Sequence, residues 1–329
     1  MIKEMKKMIG FIICLTALLT VAFFTSSNET APTKDSKPMV GILQLTSHPA
    51  LDLIYQGTVD ALNEAGYIDG ETMTLDFQNA QGDQSNLNSM SARFVSRGAD
   101  VMVGIATPSA QALANSSQEI PIVLGAVTDP EGSGLVKSNA TPGGNITGVS
   151  DLTPIKEQFA LIKEILPEAQ TIGILYSSSE DNSIVQADQA IEIAREMGLD
   201  TQVMTVSSTN DVSQVGATLA SQVDAIWVPT DNTVASAMNT LVSAADSNGI
   251  PIFPAVDTMV EEGGLATVGL DQYELGRLTG EMVVAILNGE SEPATTPIQY
   301  LDQGKVIINE EKAKQLGITI PTQLLEQVK

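Results

Sequence analysis

Two stretches of this chain repeat one order of elements, and the repeat limits the fold more than any other feature. Residues 100–130, DVMVGIATPSAQALANSSQEIPIVLGAVTDP, read as strand, polar turn, helix, strand and polar turn. Residues 224–258, DAIWVPTDNTVASAMNTLVSAADSNGIPIFPAVDT, repeat that order, with an Asp before the first strand and an Ile-Pro-Ile step before the second. Around them the pattern of apolar runs and helical spacing restarts: MVGIL at residue 39 is echoed by TIGILY at residue 171. Gly41 corresponds to Gly173, Asp100 to Asp224 and Pro121 to Pro251. Strands alternating with helices imply parallel sheets covered on both faces by right-handed crossovers. The fold class is therefore α/β, with two doubly wound parallel-sheet lobes joined by a hinge.

The polar turns after the apolar runs fall at the carboxyl edge of each sheet, where open α/β folds hold their ligands. Candidate site residues follow from that position. Thr107 and Ser109 open one helix; Asp231, Asn232 and Thr233 open its counterpart. Thr128 with Asp129 and Asp257 with Thr258 form the second turn of each lobe. His48 follows the first strand, Asn182 and Ser183 close the loop after TIGILY, and Ser150 and Asp151 follow the glycine-punctuated run GGNITGVSD. Each of these residues also suits a purely structural role in capping a helix or fixing a turn.

Residues 1–7 are basic and residues 8–24, MIGFIICLTALLTVAFF, are uncharged and apolar, which together make an export signal or an N-terminal membrane anchor. Residues 25–38 are rich in Ser, Thr and Pro and read as a flexible tether. The first lobe is expected over 39–148 plus about 270–297, and the second over 149–269 plus about 298–329, with hinge crossings at Gly148-Val149-Ser150 and near Gly269. Helices are expected at 51–65, 84–97, 154–166, 184–197 and 272–287, and a further strand near 298–301.

The formal net charge is −24, which disfavours nucleic acid and anionic membrane surfaces as partners. Membrane association is expected only through the N-terminal segment. The single cysteine, Cys14, lies within the apolar run, where Phe11, Ile12 and Ile13 precede it instead of the small residues of a lipoprotein cleavage box. No lipid on Cys14 is expected. One histidine and the absence of HExxH, CxxC and GxxxxGK[ST] spacings leave hydrolytic, zinc and P-loop chemistry without their usual residues, so neither a cofactor nor a metal is expected. Trp227, inside AIWVP, is expected in the core, and Gly276 with Gly280 to mark close helix packing.

The runs GILQLTSHPALD, FQNAQGD, IATPSAQAL, PIVLGAVTDP, GGNITGVSD and IGILYSSSEDNS resemble the extracellular solute-binding proteins of bacterial ABC importers, nearest to the branch for tryptophan and other aromatic amino acids. The resemblance covers about residues 39 to 320. It implies a type I periplasmic-binding fold, a small ligand held between the lobes by hinge closure without being transformed, and permease and ATPase partners. It places the body on the outer face of the cytoplasmic membrane, anchored or secreted. Sugars, nucleosides and other amino acids remain alternative ligands, and an exported enzyme with paired carboxylates is the alternative class.

For an α-amino acid, the acid-free turn at Thr107 and Ser109 suits the carboxylate, and Asp231 and Asp257 suit the ammonium.

Overall fold

A computed structural model describes residues 37–301 and 304–327. The export segment and nearly all of the tether lie outside the described residues. Among the described residues no helix is long and apolar enough to cross a membrane.

The first lobe is built from β1 (Met39–Gln44), α1 (Pro49–Glu64), β2 (Thr74–Asn79), α2 (Gln84–Arg97), β3 (Val101–Ile105), α3 (Thr107–Ser116), β4 (Ile122–Gly125) and β5 (Ile146–Gly148). Its sheet is parallel in the order β2-β1-β3-β4-β5. Every residue of β1, β3 and β4 is buried, which is why these strands read as unbroken apolar runs and not as alternating patterns.

The second lobe comprises α4 (Ile155–Ile165), β6 (Thr171–Ser177), α5 (Asp181–Glu196), β7 (Asp200–Val206), α6 (Val212–Ala220), β8 (Ala225–Val228), α7 (Asn232–Ala235), α8 (Met238–Asp246), β9 (Ile252–Pro254), α9 (Asp257–Glu261) and β10 (Ala266–Gly269). Its parallel sheet runs β7-β6-β8-β9. The chain then returns to the first lobe with α10 (Gln272–Leu287) and ends in the second with β11 (Lys305–Ile308), α11 (Glu310–Leu316) and α12 (Thr322–Gln327). In each sheet the first strand of the lobe is flanked by the next two, so the crossovers diverge between β1 and β3 and between β6 and β8. Such a switch point opens a crevice at the carboxyl ends of the strands.

The repeat is visible atom by atom. Asp100 Oδ2 accepts from the Met39 amide at 2.8 Å, and Asp224 Oδ2 accepts from the Gln170 and Thr171 amides, also at 2.8 Å. Each aspartate thereby ties the third strand of its lobe to the start of the first. Gly41 leaves room for the Phe94 ring, which a Cβ would approach to 2.7 Å, and Gly173 does the same for Leu219 at 2.9 Å.

Four expectations need correction. Helix α5 begins at Asp181 instead of Ile184, because Asp181 sits favourably in a first turn; Asn182 and Ser183 therefore belong to the helix. The segment near Ile298 forms no strand. Pro297 has no N–H to offer, and only Gln299 bridges Val149. That bridge also keeps residues 298 and 299 beside β5 in the first lobe, not in the second. The sheets are not the whole β content either, since β10 and β11 pair antiparallel.

Helix α10 lies directly on α1. A Cβ on Gly276 would stand 2.2 Å from the Ile54 carbonyl oxygen, one on Gly280 2.5 Å from that of Thr58, and one on Gly57 2.2 Å from that of Tyr273. Thr58 Oγ1 donates across this contact to the Gly276 carbonyl at 3.1 Å. Trp227 is fully buried against Phe159, and its Nε1 donates to Gln158 Oε1 at 3.0 Å.

Candidate functional site

Between the carboxyl ends of the two sheets lies a cavity with about 370 Å3 of atom-free space, its open mouth included. The first lobe contributes His48, Ala106, Thr107, Ala126 and Thr128, with Leu51 and Ile54 of α1 and Gln272 of α10. The second contributes Asn182, Thr230, Asp231, Asn232, Ala235 and Val256. Asp151 lines the cavity from the crossing between the lobes.

Ala106 and Ala126 follow β3 and β4 directly, and both adopt positive φ, 74° and 56°. That conformation costs an alanine about 1–3 kcal/mol, so it persists only where the surroundings dictate it. At both positions a small side chain faces the cavity where a larger one would fill it. The strained Ala106 also starts α3, whose Thr107 and Ser109 amides have no partner within the helix, while Pro108 has no N–H. Two amides and the positive end of the helix dipole thus meet with no acid in the first turn.

Asp151 supplies the opposite charge. Its Oδ1 is buried and has no hydrogen-bond partner among the described residues, while the Thr128 hydroxyl bonds the carboxyl group. Desolvation pushes the Asp151 pKa up to about 6, against the lowering effect of the Thr128 bond. An ordered chain of donors leads to it. Gln186 Nε2 donates to Thr230 Oγ1 at 2.6 Å, Thr230 Oγ1 meets Thr128 Oγ1 at 3.0 Å across the lobes, and Thr128 reaches Asp151. Asn182 Nδ2 donates to the Thr230 carbonyl at 2.9 Å, leaving Asn182 Oδ1 buried and unpaired beside the cavity.

The other acids are already engaged. Asp231 accepts from the Ser177 amide at 2.6 Å and the Val234 amide at 2.7 Å, capping α7, and Ser183 adds a hydroxyl bond. Burial and the nearby Glu180 charge both raise its pKa. Asp257 Oδ1 accepts from the Thr258 amide at 2.8 Å, and the residue does not line the cavity. Asp231 thus lines the cavity with both oxygens engaged and Asp257 stands apart from it, whereas Asp151 keeps a free oxygen there.

Of the sequence candidates, His48, Thr107, Thr128, Asp151, Asn182, Asp231 and Asn232 come together around the cavity. Ser109, Asp129, Ser150, Ser183 and Asp257 do not line it. Asp129 Oδ1 caps its own turn through the Gly132 amide at 2.8 Å, and Ser150 Oγ donates to the Thr128 carbonyl at 2.8 Å. Thr230, Gln272 and Glu180 were missed. Glu180 accepts from the Asn232 and Thr233 amides of α7 and from both side chains, yet it stands 52 residues from Asn232, where no local spacing could pair them.

The model of the ABC transporter substrate-binding proteins matches residues 39–329, the whole of the two-lobed body. The chain belongs to this family. As an ABC substrate-binding protein it has well-covered relatives. A tyrosine-binding protein of Clostridioides difficile strain R20291 is 39% identical over 89% of this chain and 85% of that one. The crystal structure of an ABC domain in complex with L-Trp from Streptococcus pneumonia is 48% identical, with a TM-score of 0.86 over 89% of this chain and 98% of that one. The ligand-free, open structure of a substrate-binding protein with adhesive properties from Clostridium difficile is 41% identical, with the same coverage and a TM-score of 0.68.

Proposed function

We propose that this substrate-binding protein captures an aromatic L-amino acid on the outer face of the cytoplasmic membrane and presents it to the permease of an ABC importer. The observation that carries the reading is the pairing, in one cavity, of an acid-free helix start at Thr107 with the unpaired carboxylate oxygen of Asp151. An α-amino acid carries the two complementary charges. Its carboxylate meets the α3 amides and the Thr107 hydroxyl, and its ammonium donates to Asp151 Oδ1 and Asn182 Oδ1. The side chain lies against Leu51, Ile54, Ala235 and Val256, a wall with contributions from both lobes. Burying an aromatic ring there is worth about 1.5–3 kcal/mol.

Tyrosine and tryptophan are what the two named relatives bind, which supports the aromatic class. Hinge closure is supported by the better superposition on the L-Trp complex than on the open, ligand-free structure. Closure bends the crossings at 149–154 and 270–271, short stretches at element ends that absorb such changes. The ligand leaves chemically unaltered, and the body is held by an uncleaved N-terminal helix or released, without lipid on Cys14.

A thermal-shift panel tests the reading. L-tryptophan or L-tyrosine should raise Tm, since a ligand at a hundredfold excess over Kd stabilises the folded state by about 2.7 kcal/mol. Stabilisation by a pentose or nucleoside, with none from any amino acid, would overturn it.

A further inference from the structure

His48 is the single histidine of the chain, it is buried, and it lines the cavity. Its tautomer follows from its neighbours. Glu180 accepts from the Asn232 and Thr233 amides and from the Thr233 hydroxyl, so its carboxylate acts as an acceptor on every side. The Asn232 side-chain atom 2.5 Å from Glu180 Oε2 must then be the amide nitrogen. That fixes the amide, and Asn232 Oδ1 is the atom 3.1 Å from His48 Nε2. An amide oxygen only accepts, so Nε2 carries the proton.

Burial lowers the His48 pKa, opposed by the Asn232 hydrogen bond and the Asp52 charge. The ring is therefore neutral at pH 7, and Nδ1 keeps a bare lone pair. Nδ1 is buried and has no partner among the described residues; His48 precedes α1 but makes no side-chain cap bond there. Leu51 and Ile54, in the first turns of that helix, line the same cavity. The imidazole thus shares the cavity with the apolar wall proposed for the ligand's side chain.

We propose that His48 Nδ1 accepts a hydrogen bond from a donor on the ligand's ring, the indole N–H of tryptophan or the phenol O–H of tyrosine, and thereby selects both over phenylalanine. The proposal rests on the aromatic amino acid reading of the site. A ring without a donor would seal the lone pair away from water and leave it unpaired, and sites built for a hydrogen bond reject such analogues. Glu180 and Asn232 act as positioning residues, since they set the tautomer of His48 and make no bond to the ligand's ring.

The test uses the isolated histidine as a probe. In protein labelled with 15N-histidine, two-bond proton–nitrogen correlation of the free form should show the proton on Nε2. L-tryptophan should shift the Nδ1 resonance upfield, the direction of hydrogen-bond acceptance. An analogue in which sulfur replaces the indole N–H, 3-(3-benzothienyl)-L-alanine, should leave it in place and bind about tenfold to hundredfold more weakly, the cost of one buried acceptor left unpaired. His48→Phe should bring the two affinities together, and Glu180→Gln should release the amide of Asn232 and yield a mixture of tautomers. A proton on Nδ1 in the free protein, or equal wild-type affinity for the two ligands, would overturn the proposal alone. Failure of tryptophan, tyrosine and phenylalanine to bind at all would overturn the aromatic amino acid reading, and the proposal with it.

Discussion

His48 and Asn232 stand 184 residues apart in the chain, yet His48 Nε2 and Asn232 Oδ1 lie 3.1 Å apart across the cleft. Thr128 and Thr230, 102 residues apart, meet in the same way at 3.0 Å, and Gln111 Nε2 donates to Asp181 Oδ2 at 3.0 Å. These bonds exist only while the lobes are together, so they belong to the free energy of closure and not to that of either lobe.

Thr230→Val keeps the shape of the side chain and removes one of these bonds. A net hydrogen bond is worth about 1 kcal/mol, so ligand affinity should fall about three- to tenfold. Small-angle scattering should show the ligand-free radius of gyration rising relative to wild type, and the melting temperature should fall modestly, because buried Gln186 Nε2 also loses the Thr230 hydroxyl as an acceptor.

The pH dependence of binding follows from Asp151. Its folded pKa, raised to about 6 by burial, exceeds the unfolded value of about 3.9. The stability contributed by the protonated group is fully present below about pH 4 and lost as pH rises through about 6. Asp257, also raised to about 6 by burial, adds to this trend. Ligand affinity runs the other way, because the ammonium needs the ionised carboxylate. Titrations should show affinity about tenfold weaker at pH 5 than at pH 7, and Asp151→Asn should flatten that dependence.

Gly280→Ala tests the packing of α10 on α1. The added Cβ would stand 2.5 Å from the Thr58 carbonyl oxygen and 2.7 Å from the Ala61 Cβ. Overpacking of this kind costs about 1–3 kcal/mol. Chemical denaturation should report that loss. The ratio of affinities for tryptophan and tyrosine should stay the same, since neither Thr58 nor Ala61 lines the cavity.

The layers of the fold were legible because they follow from local pattern. Asp100 and Asp224 announce equivalent strands, and the structure ties each to the backbone at the start of its lobe's first strand, Asp100 through one amide and Asp224 through two. The edge where the site forms was legible for the same reason, since the polar turns after β1, β3 and β8 must fall at the carboxyl ends of their sheets. Which acid is free was not legible. Asp231, a short polar residue at a helix start, is taken up by amides of its own cap and of Ser177, whereas Asp151 sits in an irregular crossing whose path depends on both lobes. The strained backbone of Ala106 and Ala126 carries no sequence signal, because positive φ is marked in a sequence by Gly, Asn or Asp and not by alanine. The second-lobe assignment of residues 298 and 299 failed for a related reason: a single bridge to Val149 across a long separation decides it.

Calorimetric titration of L-tryptophan and L-tyrosine into the wild type, Asp151→Asn and Asp257→Asn tests the central claim most directly. The wild type should bind at least one of them. Asp151→Asn should weaken that binding by about a hundredfold or more, because the ammonium loses a charged acceptor in a desolvated site, while Asp257→Asn should change it by less than about threefold. Wild-type affinity retained in Asp151→Asn, or lost in Asp257→Asn alone, would contradict the assignment of Asp151 as the residue that holds the ligand's ammonium.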